Sequence, residues 1–201
     1  MLNTLITLMI GYLIGSFPSA YLIAKLKKRD IFTVGSGNMG AMNTARNLGM
    51  GLGVIVLLLD IGKGALASYL GLLLTPAPDI SLAPAFGAGL GAVLGHAWSL
   101  YLGFRGGKAL ASAFGVALPL YPLAAVVSLV VLVVLIALLK RVALAAVLVT
   151  LPHTILAGLL PNRYALPAWH YLVAVAPVAA VIIYKHLPTL RQELGLSDAK
   201  S

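Results

Sequence analysis

The stretch "TVGSGNMGAMNTARNLG", residues 33–49, sets four glycines, three asparagines and one arginine between two apolar segments. Gly35, Gly37 and Gly40 spell G-x-G-x-x-G, and Asp60 follows twenty residues after the last of them. Two folds compete for that spelling. A dinucleotide-binding turn requires a β-strand before it and a helix after it, inside a βαβ unit. Here an uncharged run over 2–24 and a basic loop come first, and Asp60 falls within the next apolar segment. The context argues against a dinucleotide turn and for a polar loop between membrane helices.

Composition points the same way. Of 201 residues, 61% are hydrophobic and 9% charged, against about 25% charged in an ordinary soluble domain. Such a chain lacks the polar surface for water and belongs in a bilayer. The absence of cysteine excludes disulfides, thiolate metal sites and a cysteine nucleophile. In a membrane chain the net charge of +9 speaks of loop sidedness, not of a nucleic-acid partner. Residues 1–26 are expected to stay in place as a membrane helix. Their apolar run exceeds the roughly 7–15 residues of a signal-peptide core, and no basic region precedes it.

Uncharged stretches run over 2–24, 47–59, 64–78, 80–104, 109–139, 142–162 and 164–184. Spanning takes roughly 17–25 mostly apolar residues. The second helix therefore joins two stretches, over about 51–74, and carries Asp60 and Lys63 inside it. The run 109–139 is too long for one span, and Pro119 and Pro122 cut it in two. The basic residues decide whether the short piece crosses. Lys25, Lys27, Lys28, Arg29, Arg46, Arg105, Lys108, Lys140, Arg141, Lys185, Arg191 and Lys200 share one side if every segment crosses. Only Arg163 falls opposite, with Lys63 in a helix. The positive-inside rule then predicts an all-α polytopic membrane protein of seven transmembrane helices, N-terminus outside and C-terminus cytoplasmic. Residues 1–201 read as a single integral-membrane domain. Gly87, Gly91 and Gly95 form a small-xxx-small stripe suited to close helix packing.

The glycines of the opening stretch keep a physical use. Successive backbone N–H groups before a helix form an anion nest. Gly35, Gly37 and Gly40 expose backbone, Ser36 adds a hydroxyl, Asn38 and Asn43 add amides, and Arg46 can hold phosphate bidentately. An ordinary polar loop accounts for the glycines and asparagines but poorly for their density around a lone arginine. A second cluster, "GHAWSLYLGFRGGKALAS" over 95–112, offers Gly106, Gly107 and Lys108 as bare backbone beside a cation. Cations at a membrane boundary also snorkel, so this cluster alone does not decide. His96 fits a packed histidine as well as a catalytic one. Asp60 and Lys63, one helical turn apart, can pair and support the site from below. The third cluster, "IIYKHLPTLRQELG" over 182–195, brings His186 to the end of the last helix, on the same face of the membrane as the other two. His153 and His170 have no such company, and no His/Asp/Glu set has metal-ligand spacing.

"GSGNMGAMNTARNLG", "GHAWSLYLGFRGGKA" and "YKH", with "GYLIGSFPSAYLIAKL" and "LLLDIGKG", resemble the bacterial acyl-phosphate:glycerol-3-phosphate acyltransferase family (PlsY) over nearly the whole chain. The resemblance implies transfer of a fatty acyl group from acyl phosphate to the 1-hydroxyl of sn-glycerol 3-phosphate. The products are 1-acylglycerol 3-phosphate (lysophosphatidic acid) and phosphate, in the first step of phospholipid synthesis. It implies no acyl-CoA, no metal and no other cofactor, a place in the bacterial inner membrane, and an active site facing the cytoplasm. Its partners are membrane lipids and, as a candidate, the soluble enzyme that makes acyl phosphate. Catalytic roles fall on Ser36, Arg46 and His186. Substrate phosphate binding falls on Gly35, Gly37, Asn38, Gly40, Asn43, Gly106, Gly107 and Lys108, with Asp60, Lys63 and His96 in support. The sequence departs from the family pattern at Ala109, where a glycine is common, and at Ala143 and Ala146, where serines are expected. Leu187, Pro188 and Thr189 also depart, with Thr189 in the place of an asparagine that helps bind substrate. Two rival classes are a membrane transporter of a phosphorylated solute and a low-activity paralogue acting as a lipid-binding scaffold.

Overall fold

The computed structural model describes residues 2–75, 82–160 and 167–196. Arg163 and Lys200, which enter the charge argument, lie outside them. Among the described residues every regular element is helical, and one isolated bridge pairs Ser99 with Arg105. The chain divides into two compact units, Met1–Leu120 and Tyr121–Ser201.

The first unit opens with α1 (Leu2–Gly15) and α2 (Ser19–Leu26). The sequence reading gives one helix over 2–24, and the structure breaks it. Pro18 has no N–H to continue the helical ladder, and the Phe17 carbonyl beside it is taken by a side chain described below. A polar loop leads to α3 (Ala41–Leu48), and Gly49, at φ 116°, turns the chain into α4 (Met50–Leu73). Asp60 and Lys63 lie inside α4, as the joined stretches predict. Then come α5 (Ala83–Ala97) and α6 (Leu110–Leu120).

The glycine stripe brings α5 against α1. A Cβ at Gly91 would overlap the Leu8 carbonyl, and one at Gly95 the Tyr12 carbonyl. The two backbones therefore approach as closely as hydrogen in place of a side chain allows. Polar contacts lock the same seam. The Tyr12 hydroxyl donates to the Trp98 carbonyl at 2.7 Å, and Ser99 Oγ donates to the Ser16 carbonyl at 2.6 Å.

The uncharged run 80–104 does not stay helical to its end. After Ala97 the chain forms a short 3-10 turn over Leu100–Leu102, then takes left-handed backbone at Gly103 and Phe104. The Phe104 N–H donates to the Ser99 carbonyl at 2.8 Å, which folds the segment back toward α5.

The second unit contains α7 (Pro122–Leu139), α8 (Val142–Leu148), α9 (Thr150–Leu159) and α10 (Ala168–Glu193). Pro119 and Pro122 bracket the boundary between α6 and α7, where the sequence places it. Lys140 takes left-handed backbone, φ 52°, in the tight turn from α7 to α8. His153 Nδ1 lies 2.9 Å from Ser128 Oγ, joining α9 to α7.

Five helical runs are long and apolar enough to cross a membrane: Leu2–Leu26, Met50–Leu73, Pro122–Leu139, Val142–Leu159 and Trp169–Glu193. On α7 the exposed side chains include Val126, Val130, Val133 and Leu138, an apolar surface suited to lipid. With 15 and 11 residues, α5 and α6 fall short of the roughly 17–25 that a full span takes.

Candidate functional site

The opening stretch folds around one buried side chain. Asn43, in the first turn of α3, is 5% exposed and uses its whole amide. Its Nδ2 donates to the Val34 and Asn38 carbonyls, both at 3.0 Å. Its Oδ1 accepts from the Ser36 N–H at 3.1 Å and from Asn47 Nδ2 at 3.0 Å. Asn43 thus holds the loop shape, and its amide is spent within the loop. Gly35 and Gly37 take left-handed backbone at φ 59° and 64°; a Cβ at Gly35 would overlap Asn43 Oδ1 and Asn47 Nδ2, and one at Gly37 would lie 2.8 Å from the Phe32 carbonyl oxygen. The Gly40 carbonyl accepts from the N–H and the hydroxyl of Thr44, both at 3.1 Å, which starts α3.

Ser36 stands exposed at the loop crest, Asn38 is half-buried, and Arg46 is exposed near the end of α3. Beneath them Ile31 and Met39 pack with Ala20, Ala24 and Val56. Leu102, from the segment after α5, packs on the same cluster, so the two glycine-rich segments share an apolar floor. The Arg105 guanidinium caps that floor, 3.5 Å from the centre of the Phe32 ring.

The second glycine segment meets the first at Gly107. Its N–H donates to the His96 carbonyl at 3.0 Å. A Cβ there would overlap His96 Nε2 and lie 2.8 Å from the Met39 carbonyl oxygen. Only glycine fits between the histidine ring and the opening loop. Gly106 lies equally close to the His96 and Ala97 carbonyls, and Lys108 follows, half-buried. Ala109 takes left-handed backbone, φ 62°, the position where the sequence reading noted a departure from glycine.

Behind His96 lies a buried charged group. Asp60 Oδ1 is 2.9 Å from Lys63 Nζ and 3.6 Å from His96 Nδ1, and it accepts from Ser19 Oγ at 3.0 Å. Lys63 Nζ also donates to the Phe17 carbonyl at 2.9 Å, at the break between α1 and α2. Ser112 Oγ donates to the Asp60 backbone carbonyl at 3.1 Å, tying α6 to α4. Asp60 and Lys63 are 2% and 6% exposed, so each charge is answered by protein groups. Beside this group a cleft of about 490 Å³ runs between α1 and α4, lined by Leu13, Phe17, Leu58, Leu66, Tyr101 and Lys63.

The first unit thus gathers Gly35, Ser36, Gly37, Asn38, Gly40, Asn43, Arg46, Asp60, Lys63, His96, Gly106, Gly107 and Lys108 on connected segments. His186 belongs to the second unit. It lies within α10, seven residues before the helix ends rather than at its tip. It is 3% exposed, and its Nδ1 lies 2.8 Å from the Ile182 carbonyl. A carbonyl can only accept, so Nδ1 carries the proton and Nε2 is the ring's basic nitrogen. Sequence reasoning missed Ser19, Ser112 and the Phe17 carbonyl as partners of the buried pair. The one local signal was Ser19, directly after Pro18. Among the described residues no group of three or more His, Asp or Glu side chains is placed to hold a metal ion.

Comparison with known proteins adds to this geometry. A family model described as glycerol-3-phosphate acyltransferase matches residues 5–194. A glycerol-3-phosphate acyltransferase of Halalkalibacterium halodurans is 41% identical over 196 residues, covering 96% of this chain and 93% of the relative. One from Staphylococcus aureus strain Newman is 34% identical over 187 residues, covering 90% of each. Two crystal structures of PlsY (YgiH), an integral membrane glycerol 3-phosphate acyltransferase, are similar in fold. The glycerol 3-phosphate form has a TM-score of 0.85 at 31% identity, covering 98% of this chain and 96% of its own. The lysophosphatidic acid form has a TM-score of 0.81 at 30% identity, covering 98% and 95%.

Proposed function

This chain belongs to the glycerol-3-phosphate acyltransferase family, and we propose that it transfers a fatty acyl group from acyl phosphate to the 1-hydroxyl of sn-glycerol 3-phosphate. It is an integral membrane protein with several apolar helices. In this reading residues 1–201 form one acyltransferase domain of the bacterial inner membrane, with α5 and α6 completing seven crossings and the site facing the cytoplasm. Single cysteines test that topology cleanly, because the native chain has none. One at Thr33 should label from the cytoplasm and one at Ser81, outside the described residues, from the other side. Labelling of both from one side removes the seven-helix arrangement.

The observation that carries the proposal is the meeting of the two glycine segments, with Gly107 against Met39 and His96. Both substrates are anions, and acyl phosphate is already an activated mixed anhydride. What such a reaction needs from a protein is approach and charge neutralisation. The exposed backbone at Gly35, the Ser36 hydroxyl and the Arg46 fork supply these from one segment. Gly106 and Lys108 supply them from the other, and Gly107, whose N–H is given to the His96 carbonyl, sets the close approach of the two segments. The apolar cleft between α1 and α4 suits the acyl chain.

The glycerol 1-hydroxyl oxygen attacks the acyl carbonyl carbon, the bond from that carbon to the phosphate oxygen breaks, and inorganic phosphate leaves. The hydroxyl proton goes to His186 Nε2 or to a phosphate oxygen of the substrates. Charge developing on the carbonyl oxygen falls to the cations and N–H groups. The transporter reading would place open polar groups along a path near the membrane midplane. Asp60 and Lys63, deep in α4, are instead occupied by Ser19 and the Phe17 carbonyl. Purified protein given palmitoyl phosphate and glycerol 3-phosphate should release phosphate. Uptake of glycerol 3-phosphate into proteoliposomes without acyl transfer would favour the transporter.

A further inference from the structure

Glu193 is the last residue of α10, and its carboxylate does not serve that helix. Both its oxygens reach the start of α8. Oε1 accepts from the Ala143 N–H at 2.9 Å and Oε2 from the Leu144 N–H at 3.0 Å. These are the second and third N–H groups of α8, which have no partner within their own helix. An N-cap side chain normally takes them, but Arg141 stands at the cap position and makes no such bond. The cap is supplied from another helix.

The placement also fits the helix dipoles. A carboxylate in the last turn of α10 opposes that helix's negative end, while at the first turn of α8 it meets a positive one. The end of α10 is itself well formed. The Leu196 N–H donates to the Arg191 carbonyl at 2.8 Å and the Gly195 N–H to Gln192 at 3.2 Å, with Gly195 at φ 70°. This is the glycine-closed helix end that places the final turn firmly.

Between this clamp and His186 lies Pro188, within the helix. Pro188 lacks the N–H that would bond the Tyr184 carbonyl, so the last turns of α10 are joined to the rest by a weakened ladder. His186 and Glu193 are seven residues apart, which at 3.6 residues per turn sets them on nearly one stripe of the helix. Ile182, whose carbonyl holds the histidine ring, lies on that stripe too. A bidentate hold at its end restrains both the rotation of α10 about its axis and the last turns beyond Pro188.

We propose that Glu193 is a positioning residue for His186: it clamps the end of α10, beyond Pro188, to the start of α8 and so sets the orientation of the imidazole. The inference rests on the reading of His186 as a group that acts on the glycerol hydroxyl. It assigns Glu193 no contact with substrate.

The test uses the full chain in detergent or lipid, as wild type, Glu193→Gln and Glu193→Ala. Steady-state kinetics are scaled to folded protein, and the ¹⁵N signal of the His186 imidazole is assigned with His186→Gln. A misplacement of about 1 Å at a reacting group costs up to 100-fold in rate. Glu193→Ala should accordingly lower kcat by roughly 10- to 100-fold, with the KM for glycerol 3-phosphate held within about twofold. It should also move the His186 signal. Glu193→Gln keeps an oxygen acceptor for one N–H and should fall between, and being nearly isosteric it serves if the alanine variant does not fold. A role in stability alone would lower Tm while leaving kcat per folded molecule and the His186 signal unchanged, and that result overturns the proposal. If wild type turns over no acyl phosphate, the acyltransferase reading fails. The clamp is then judged by the His186 signal: a shift supports it and an unmoved signal overturns it.

Discussion

In the first unit Asp60 and Lys63 are 2% and 6% exposed and answered by protein groups, whereas Ser36 and Arg46 stand open. The two sets lie on connected segments, joined through His96, Gly107 and Met39. What separates them is whether their hydrogen bonds are already made. Asn43 belongs with the buried set, because its amide is fully engaged by the loop it organises. In the proposed acyl transfer a substrate phosphate meets the exposed set, which the buried one supports. Loss of a buried member should therefore be felt first in folding, and loss of an exposed member first in turnover.

The largest effect on stability is expected at the buried pair. Asp60→Ala leaves Lys63 in an apolar helix bundle without its carboxylate, a change that costs about 3–5 kcal/mol when one partner of a buried ion pair is removed. Thermal unfolding in detergent should fall sharply, or folded protein should be lost. Asp60→Leu combined with Lys63→Met should recover much of that stability, since no buried charge is left unpaired. A fully stable Asp60→Ala with no turnover would move Asp60 into the set that meets substrate.

Exposed Arg46 and half-buried Lys108 should respond in kinetics. Removing a cation from a charge-assisted hydrogen bond costs about 1.5–3 kcal/mol, or roughly 10- to 150-fold. Arg46→Ala and Lys108→Ala should lower kcat/KM on that order with Tm preserved. Arg46→Lys should restore only part, because an ammonium cannot reproduce the guanidinium fork. Wild-type kinetics in both alanine variants would remove the phosphate site from these segments.

Smaller changes sharpen the boundary. Thr44 is fully buried, and its hydroxyl holds the Gly40 carbonyl at 3.1 Å. Thr44→Val should cost about 0.5–1.5 kcal/mol, read as a modest fall in Tm. Lys27, an exposed residue just after α2, offers the baseline. Lys27→Ala should stay within about 0.5 kcal/mol in stability, with turnover unchanged.

Much of this arrangement is legible in the chain itself, and the parts that are not have a common cause. The Asp60–Lys63 pair follows from helical spacing inside an apolar run. The α6–α7 boundary follows from Pro119 and Pro122, and close packing on one face of α5 from the stripe at Gly87, Gly91 and Gly95. Each depends on residues near one another in sequence. The break at Pro18 was visible as a proline, but what stabilises it, Lys63 on the Phe17 carbonyl, comes from 46 residues away. The early end of α5 was hidden because residues 98–104 are uncharged and read as more of the same span. Its cause is the return of Ser99, Phe104 and Gly107 onto the end of α5. Glu193 was equally silent: a glutamate near a helix end reads as a solvated charge until α8 is beside it. Glycine density around Arg46 marks the candidate site, but gives no sign of Asn43 as the organiser of its loop.

The most direct measurement follows the products rather than the protein. Wild-type protein is given palmitoyl phosphate and glycerol 3-phosphate without added metal, and lysophosphatidic acid and inorganic phosphate are quantified together. Acyl transfer from acyl phosphate predicts equal amounts of the two, acylation at the 1-hydroxyl, and no product when palmitoyl-CoA replaces palmitoyl phosphate. Efficient turnover of palmitoyl-CoA, or phosphate release without lysophosphatidic acid, would contradict it.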